Sequence, residues 1–446
     1  MQSVDLILAG GYVIPQDTPT NMLSNAAVAI QGNRVADVGS AEDILARFSA
    51  ARIIDTNDHV VLPGLVDCHI HTCQSTARGL ADDVPVTTWL DRILGFEALL
   101  EAEDVEASVK LTALELIKSG TTGLIEGCAP PQFVDVVGDV LAASGLRAVL
   151  TRSTMERADP TWQGPPSFLA DAHTNVRATR DMLRRWHGAA GGRISAWPSY
   201  RHAQDVSDEL ILALTRLMHE FDTGFHAHQA TRRFGEAERL DNVGVLSDRM
   251  LFAHAIRYTR RELELLKNAD AKINHNPGAS MHGAYGASVA GQFPEMLRMG
   301  ILVCLGCDGA PNNNGLDMFR EMYLAATVHK EARLDPTLLP APTVLAMSTR
   351  DGARAARWAD VGTLRAGARA DLIVVNLLQP HLMPLHDIVS NLVYSANGHD
   401  VVTTVVDGRI LMEDRRVLAM NEQQVLRDAA ASAQRMKERL GGRLSA

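Results

Sequence analysis

Apolar and polar positions along the chain fall into blocks, and the period of the blocks changes from the ends to the middle. Near the start, Asp5–Leu8 is apolar and stops at Gly10-Gly11. Ala27-Val-Ala-Ile-Gln, Gly32-Asn33 and Arg34-Val-Ala-Asp-Val then form a hairpin pattern, since Gly-Asn supplies the positive φ angles of a tight turn. The pattern returns near the other end. Leu372-Ile-Val-Val reads as one strand, and Val402-Thr-Thr-Val-Val, Asp407-Gly408 and Arg409-Ile-Leu as a second hairpin. Strand-rich ends around a long middle predict a small β-sandwich domain built from both termini, residues 1–58 and 362–415. Asn421–Leu440 is rich in Gln, Arg and Ala and predicts a helix within a C-terminal segment, 416–446.

The middle alternates. Strand-like apolar runs occur at Val60–Cys68, Thr121–Ile125, Arg147–Thr151, Arg193–Trp197, Thr223–His228, Met250–His254, Ala271–His275 and Ile301–Asp308. Between them, Val105–Lys118 carries apolar residues at helical spacing and stops at Ser119-Gly120, and Asp208–Glu220 and Asp317–Lys330 behave alike. Eight strands alternating with helices are the arithmetic of an α/β fold of the (β/α)8 TIM-barrel kind, here over 59–361.

Composition narrows the class. The chain has 446 residues, 46% hydrophobic and 22% charged, an ordinary globular balance. Its net charge of −10 excludes the basic footprint of a nucleic-acid binder. No apolar run approaches the ~18 residues of a membrane span, and the start reads as a strand ending in a Gly turn rather than a signal peptide. Five cysteines in such a chain fit reduced thiols in the cytoplasm. Cys304 and Cys307 form a CxxC inside an apolar run and read as buried strand residues, with a metal or redox role as the alternative.

The chemistry lies at the ends of the apolar runs. The first closes with Asp67-Cys-His69-Ile-His71, the fifth with His226-Ala-His228, the sixth with His254, the seventh with His275 and the eighth with Asp308-Gly309. Barrel enzymes carry their sites at these ends. A histidine that only packs could fall anywhere along a strand. His69 and His71, two apart, share one strand face, so one strand can offer two imidazoles to one ion. A third imidazole and a carboxylate complete an N/O set suited to Zn²⁺, with Fe²⁺, Mn²⁺ or Co²⁺ also accommodated.

Leu62-Pro-Gly-Leu-Val-Asp-Cys-His69-Ile-His71, Cys304-Leu-Gly-Cys-Asp308-Gly-Ala-Pro-Asn-Asn-Asn314 and Thr363-Leu-Arg-Ala-Gly-Ala-Arg-Ala-Asp371-Leu-Ile-Val resemble the signatures of the amidohydrolase superfamily, in order over nearly the whole chain. The branch it resembles is the mononuclear cytosine-deaminase-like group, which holds adenosine and S-adenosylhomocysteine deaminases, guanine deaminase and s-triazine hydrolases. Trp89-Leu90 and the loop before it are similar to that branch as well. The resemblance implies that His69, His71, His228 and Asp308 bind one divalent metal, with Asp308 also taking a proton from water and His254 acting as a base beside it. It implies that Trp89 and His202 contact a small-molecule substrate, and that the chain forms a homodimer or higher oligomer. Two-metal relatives carry a lysine at the end of the fourth strand. Ile194-Ser-Ala-Trp-Pro-Ser-Tyr has none, which favours one ion.

One position departs from the pattern. Deaminases of the branch carry Glu three residues after the fifth-strand ligand, whereas His228-Gln-Ala-Thr231 carries Thr231, which cannot act as a carboxylic acid. Either another carboxylate, such as Glu236, reaches in from the loop, or the leaving group needs no such acid. The expected activity is therefore hydrolysis, by metal-activated water, of a C–N bond of a nitrogen heterocycle. The alternative is cleavage of an amide, urea or carbamate, with a non-catalytic metal-binding scaffold disfavoured because His254 and Asp308 are both present. Thr231 is placed against the substrate, and His226 beside the site or in its pocket, with core packing as the alternative. His275 is expected to be structural, while His282 in its Gly-rich loop is read equally as packing or as substrate contact. The Asn312–Asn314 run is expected to cap the helix from Asp317, and Arg232-Arg233 to be solvated, with an anion clamp as the alternative.

Overall fold

A computed structural model of the chain describes residues 1–18, 21–158 and 165–441. Positions 442–446 of the expected C-terminal segment lie outside the described residues.

The strands that carry the candidate chemistry are β1 (Leu65–Ile70), β2 (Thr121–Glu126), β3 (Arg147–Leu150), β4 (Ile194–Ala196, resuming as Ser199–His202), β5 (Phe225–Gln229), β6 (Met250–His254), β7 (Lys272–His275) and β8 (Val303–Leu305). One sheet takes the first half of β4, then β3, β2 and β1. The other takes the second half of β4, then β5 to β8. The pairs from the second half of β4 to β8 are parallel, as is β3 with the first half of β4.

The gap in β4 falls at Trp197-Pro198, where proline has no N–H for the ladder. Hydrogen bonds continue across it, from Trp197 N to Leu150 O at 2.9 Å and from His226 N to Pro198 O at 3.2 Å. Beyond β8, Asp308 N donates to His69 O at 2.7 Å. β1, β2, β5 and β6 are buried at every position, which is why they read as unbroken apolar runs rather than as alternation.

The helices follow local signals. In Asp208–Glu220, Leu210, Ile211, Leu214, Leu217 and Met218 make the buried stripe, and the Ser207 side chain accepts from Leu210 N. Arg260–Asn268 opens on a capping box between Thr259 and Glu262. The C-terminal helix, Glu422–Leu440, is held to Asp104 by Ser432, Arg435 and Arg439.

One sequence reading is corrected. The run Val60–Cys68 is not a single strand. His59–Pro63 pairs antiparallel with Leu372–Asn376, and β1 begins only at Leu65. The switch is Gly64, where a Cβ would lie 2.0 Å from Thr122 Oγ1. Both halves are apolar, so hydrophobic patterning cannot separate them.

The expected terminal strands form two further sheets. Gln2–Ala9, Ala26–Gln31, Arg34–Ser40 and Phe48–Asp55 make a four-stranded sheet. A six-stranded one contains Tyr12–Val13, His59–Pro63, Leu372–Asn376, Val401–Val406, Arg409–Glu413 and Arg416–Val417. Leu6, Leu8, Val28 and Ile30 of the first share an apolar core with Val61, Leu372, Val374 and Val405 of the second.

The chain divides into two compact units. One comprises Met1–Asp67, Leu114–Gly123 and Asp317–Asn421, the other Cys68–Ala113, Leu124–Leu316 and Glu422–Ala446. Every candidate site residue belongs to the second. No described helix is long and apolar enough to cross a membrane.

Candidate functional site

β1 runs straight into His69 and His71, and their shared face turns both imidazoles toward the ends of β5, β6 and β8. His71 Nε2 lies 3.2 Å from His228 Nε2 and 3.4 Å from Asp308 Oδ1, which is 3.6 Å from His69 Nε2. A tetrahedral ion with bonds of ~2.1 Å spaces its ligand atoms by about 3.4 Å, so these donors already stand at the separation one ion would require. His254 Nε2 lies 3.9 Å from Asp308 Oδ2, close enough to make a second possible donor group with His69 and Asp308.

Charge supports the same fit. Burial lowers His69 to about 3, with Arg201 adding to the effect, and lowers His254 to about 3 against the pull of Asp308. Burial likewise pushes His71, His226 and His228 well down. These imidazoles are neutral near pH 7 and each offers a lone pair. Burial raises Asp308, opposed by His254, the Gly309 N–H, Asn312 and Arg201. A buried carboxylate among neutral imidazoles is the charge pattern that a divalent cation balances.

Other groups hold the donors in place. His226 Nε2 lies 3.1 Å from His69 Nδ1, which leaves His69 Nε2 for the centre. Asp308 Oδ1 accepts from Gly309 N at 2.8 Å and Oδ2 from Asn312 Nδ2 at 2.9 Å. Glu126, at the end of β2, accepts from Thr72 N at 3.0 Å and from the Thr72 hydroxyl, next to His71. His254 and Asp308 adopt left-handed backbone, φ 71° and 66°, a conformation that costs non-glycine residues ~1–3 kcal/mol and collects at working sites.

His71, His228, His254 and Asp308 line a cleft, with His69 fully buried beside them. Trp89, His202 and Thr231 all line it, as do Arg201, Gln204, Arg232, Arg233, Glu236 and Tyr285. The Trp89 indole donates to Pro311 O at 3.2 Å, and His202 Nδ1 meets Asp205 Oδ2 at 3.2 Å. Arg201 is buried and ion-paired with Glu97 at 2.9 Å, which also accepts from Gln74 at 2.7 Å.

Several residues fall elsewhere or gain a different role. His275 stacks on Phe293 with ring centroids 3.8 Å apart, a packing role. His282 pairs with Asp82 at 3.4 Å and borders a smaller pocket beside Trp89 and Tyr285. The Asn312–Asn314 run does not cap the following helix. Asp317 does that for Met318–Arg333, while Asn312 serves Asp308. All five cysteines are buried and outside any disulfide, and Cys304 Sγ donates to Ile273 O at 3.4 Å. Sequence reasoning missed the Arg201–Glu97 pair, Glu126, Asn312 and Gly127. All but Asn312, four positions from Asp308, act through contacts distant in the chain, and only Arg201, beside the histidine already singled out, left any signal.

The model of the amidohydrolase family matches residues 60–411. The chain is 34% identical to a 5'-deoxyadenosine deaminase of Methanosarcina mazei, covering 98% of this chain and 99% of that protein. It is 35% identical to a 5-methylthioadenosine/S-adenosylhomocysteine deaminase of Syntrophobacter fumaroxidans, covering 95% and 96%. A solved adenosine deaminase of Xanthomonas campestris with bound zinc superposes with a TM-score of 0.89 at 27% identity, covering 98% and 99%.

Proposed function

The chain belongs to the amidohydrolase family, and from that premise we propose that it deaminates an adenosine-type nucleoside with one bound divalent ion, zinc fitting best. The observation that carries this reading is the meeting of His69, His71, His228 and Asp308 at one spot, three of them lining the cleft, with His254 close to the carboxylate. Support for a single ion comes from the cleft lining, which among the described residues includes no lysine. We also take the strands β1–β8 to close as a barrel, through the bonds across the β4 gap and from Asp308 to His69, and the two mixed terminal sheets to form a sandwich.

When bound, such an ion lowers the pKa of water towards ~7 and so supplies a nucleophile near neutrality. The residues of the chain do the rest. Asp308 Oδ2 takes the proton of the attacking water, held at the right angle by Asn312 and within reach of His254 Nε2. His226 fixes the tautomer of His69. Trp89 covers the substrate ring, His202 meets a ring nitrogen or hydroxyl, and Thr231 contacts the ring from the β5 side.

A second reading is favoured by Thr231, which offers no acid for expelling ammonia: cleavage of an amide, urea or carbamate. The discriminating experiment is a panel assay on zinc-loaded protein, with elemental analysis. Release of ammonia from 5'-deoxyadenosine or 5'-methylthioadenosine, at one ion per chain, is expected. Release of aniline or alkylamine from anilides or ureas, with no ammonia from any nucleoside, would replace the deaminase reading by the second. Two tightly held ions per chain would overturn the single-metal assignment.

A further inference from the structure

We propose that Glu236 is the acid of this cleft: its carboxyl protonates the substrate ring nitrogen as water adds to the adjacent amine-bearing carbon. The assignment rests on the deaminase reading above.

Among the described residues two carboxylates line the cleft, Asp308 and Glu236. They come from separate elements, Asp308 from the end of β8 and Glu236 from the first residue of the helix Glu236–Val243. Displacement at a heteroaromatic C–N carbon poses two proton problems at once. The water must lose a proton, and the ring nitrogen that receives the C=N electron pair must gain one. Asp308 faces the first, with its oxygens committed to Gly309, Asn312 and the surrounding imidazoles. A second group has to meet the ring from another side.

Glu236 stands at that side. Its Oε2 accepts from Ala230 N at 2.7 Å, directly before Thr231, and its Oε1 accepts from Gln204 Nε2 at 2.6 Å. Both partners line the cleft themselves. The carboxyl is therefore tied to the backbone directly before Thr231, whose hydroxyl is no acid. Two accepted bonds occupy about half of the acceptor positions of a carboxyl group and leave room for an O–H directed at a ligand. The residue is only 8% exposed. Burial raises its carboxyl, although the Ala230 N–H, Gln204, His202 and Arg233 favour the ionised form. The phenols of Tyr200 and Tyr258 also face it, and Glu262 lies next to it, accepting from Ala237 N at 3.1 Å. Of the remaining charged groups in the lining, Arg201 is tied to Glu97, and arginine does not surrender a proton near neutrality.

The step balances. The water oxygen bonds to the carbon, one water proton passes to Asp308, and the C=N pair moves to the ring nitrogen, which takes the Glu236 proton. The C–N bond to the amine then breaks, and the amine leaves as ammonia with the proton held by Asp308. The last proton on the new oxygen is released to solvent, from which Glu236 is reprotonated. The product is a lactam bearing the ring N–H.

The test uses the full zinc-loaded chain with 5'-deoxyadenosine as probe. If the wild type releases no ammonia from any nucleoside but cleaves ureas or anilides, the deaminase reading fails and this assignment with it. With an active wild type, Glu236→Gln should lower kcat by ~10²–10⁴-fold while zinc content and KM stay within about threefold. Adding Thr231→Glu to that variant should recover at least about tenfold in kcat, because the lost function is an acid and not a brace. A Glu236→Gln enzyme with kcat within about threefold of wild type overturns the assignment. So does a loss that comes with released zinc and is not rescued by Thr231→Glu. Should Glu236→Gln not fold, Glu236→Asp decides. It withdraws the acid by one carbon, so a lowered kcat at unchanged KM and Tm supports the role, and a wild-type kcat overturns it.

Discussion

Replacing Gly127 by alanine adds one carbon beside two of the proposed ligand imidazoles. A Cβ built there would lie 2.6 Å from His69 Cε1, 2.7 Å from His69 Nδ1 and 3.1 Å from His71 Cε1. Gly127 does not have a left-handed φ, so alanine carries no backbone penalty and the effect is steric alone. Ordinary contact begins near 3.4 Å, so the His69 ring would have to retreat by about 0.8 Å. Sites of this kind hold their donors within ~0.5 Å, and the retreat would also press His69 against its partner His226. Disturbing the support of a ligand typically costs 10- to 100-fold in metal affinity, about 1.4–2.7 kcal/mol. Overpacking adds ~1–3 kcal/mol to the loss of stability. The assay is zinc per chain after dialysis against graded chelator, with Tm of the chelated protein as the control. A Gly127→Ala protein that keeps wild-type zinc affinity would show that His69 and His71 do not hold the metal in this arrangement.

Three further outcomes are expected. Asp308→Asn should preserve the fold and lower kcat by ~10²–10⁴-fold, since the amide keeps the shape but cannot accept the proton of water; near-normal turnover would assign that proton to another group. Burial raises Glu126 to about 7 from 4.5, so its contribution to stability is fully present below about pH 4.5 and is lost as pH rises through about 7. Glu126→Gln should therefore flatten the decline of Tm over that window, and an unchanged slope in the variant would contradict the shift. Asp104→Asn removes the carboxylate that receives Ser432, Arg435 and Arg439, at ~1.5–3 kcal/mol for charge-assisted bonds. Hydrogen exchange in Glu422–Leu440 should then rise selectively, and protection equal to wild type would show that apolar packing alone holds the helix.

The sequence by itself determined most of the elements and the residue types that stand at the strand ends. Two imidazoles two residues apart at the end of an apolar run must share a strand face, and Gly-Asn and Asp-Gly must turn between strands, because these are properties of backbone geometry over a few residues. The stripe of Asp208–Glu220 and its Ser207 cap are local in the same sense. Tertiary structure alone decided what depends on atoms far apart in the chain. The break at Gly64 follows from the closeness of Thr122, and Gly127 is required because His69 and His71 lie against it. His226 braces His69 across 157 positions, Arg201 finds Glu97 across 104, and His275 stacks on Phe293 rather than joining the cluster. Glu236 could be named from the chain only as one carboxylate among many. Its selection came from the loop after β5 folding back, so that Ala230 and Gln204 hold its carboxyl at the cleft. Hydrophobic patterning reports which face of an element is buried, whereas a site is assembled from pairs of side chains that meet only when the elements pack.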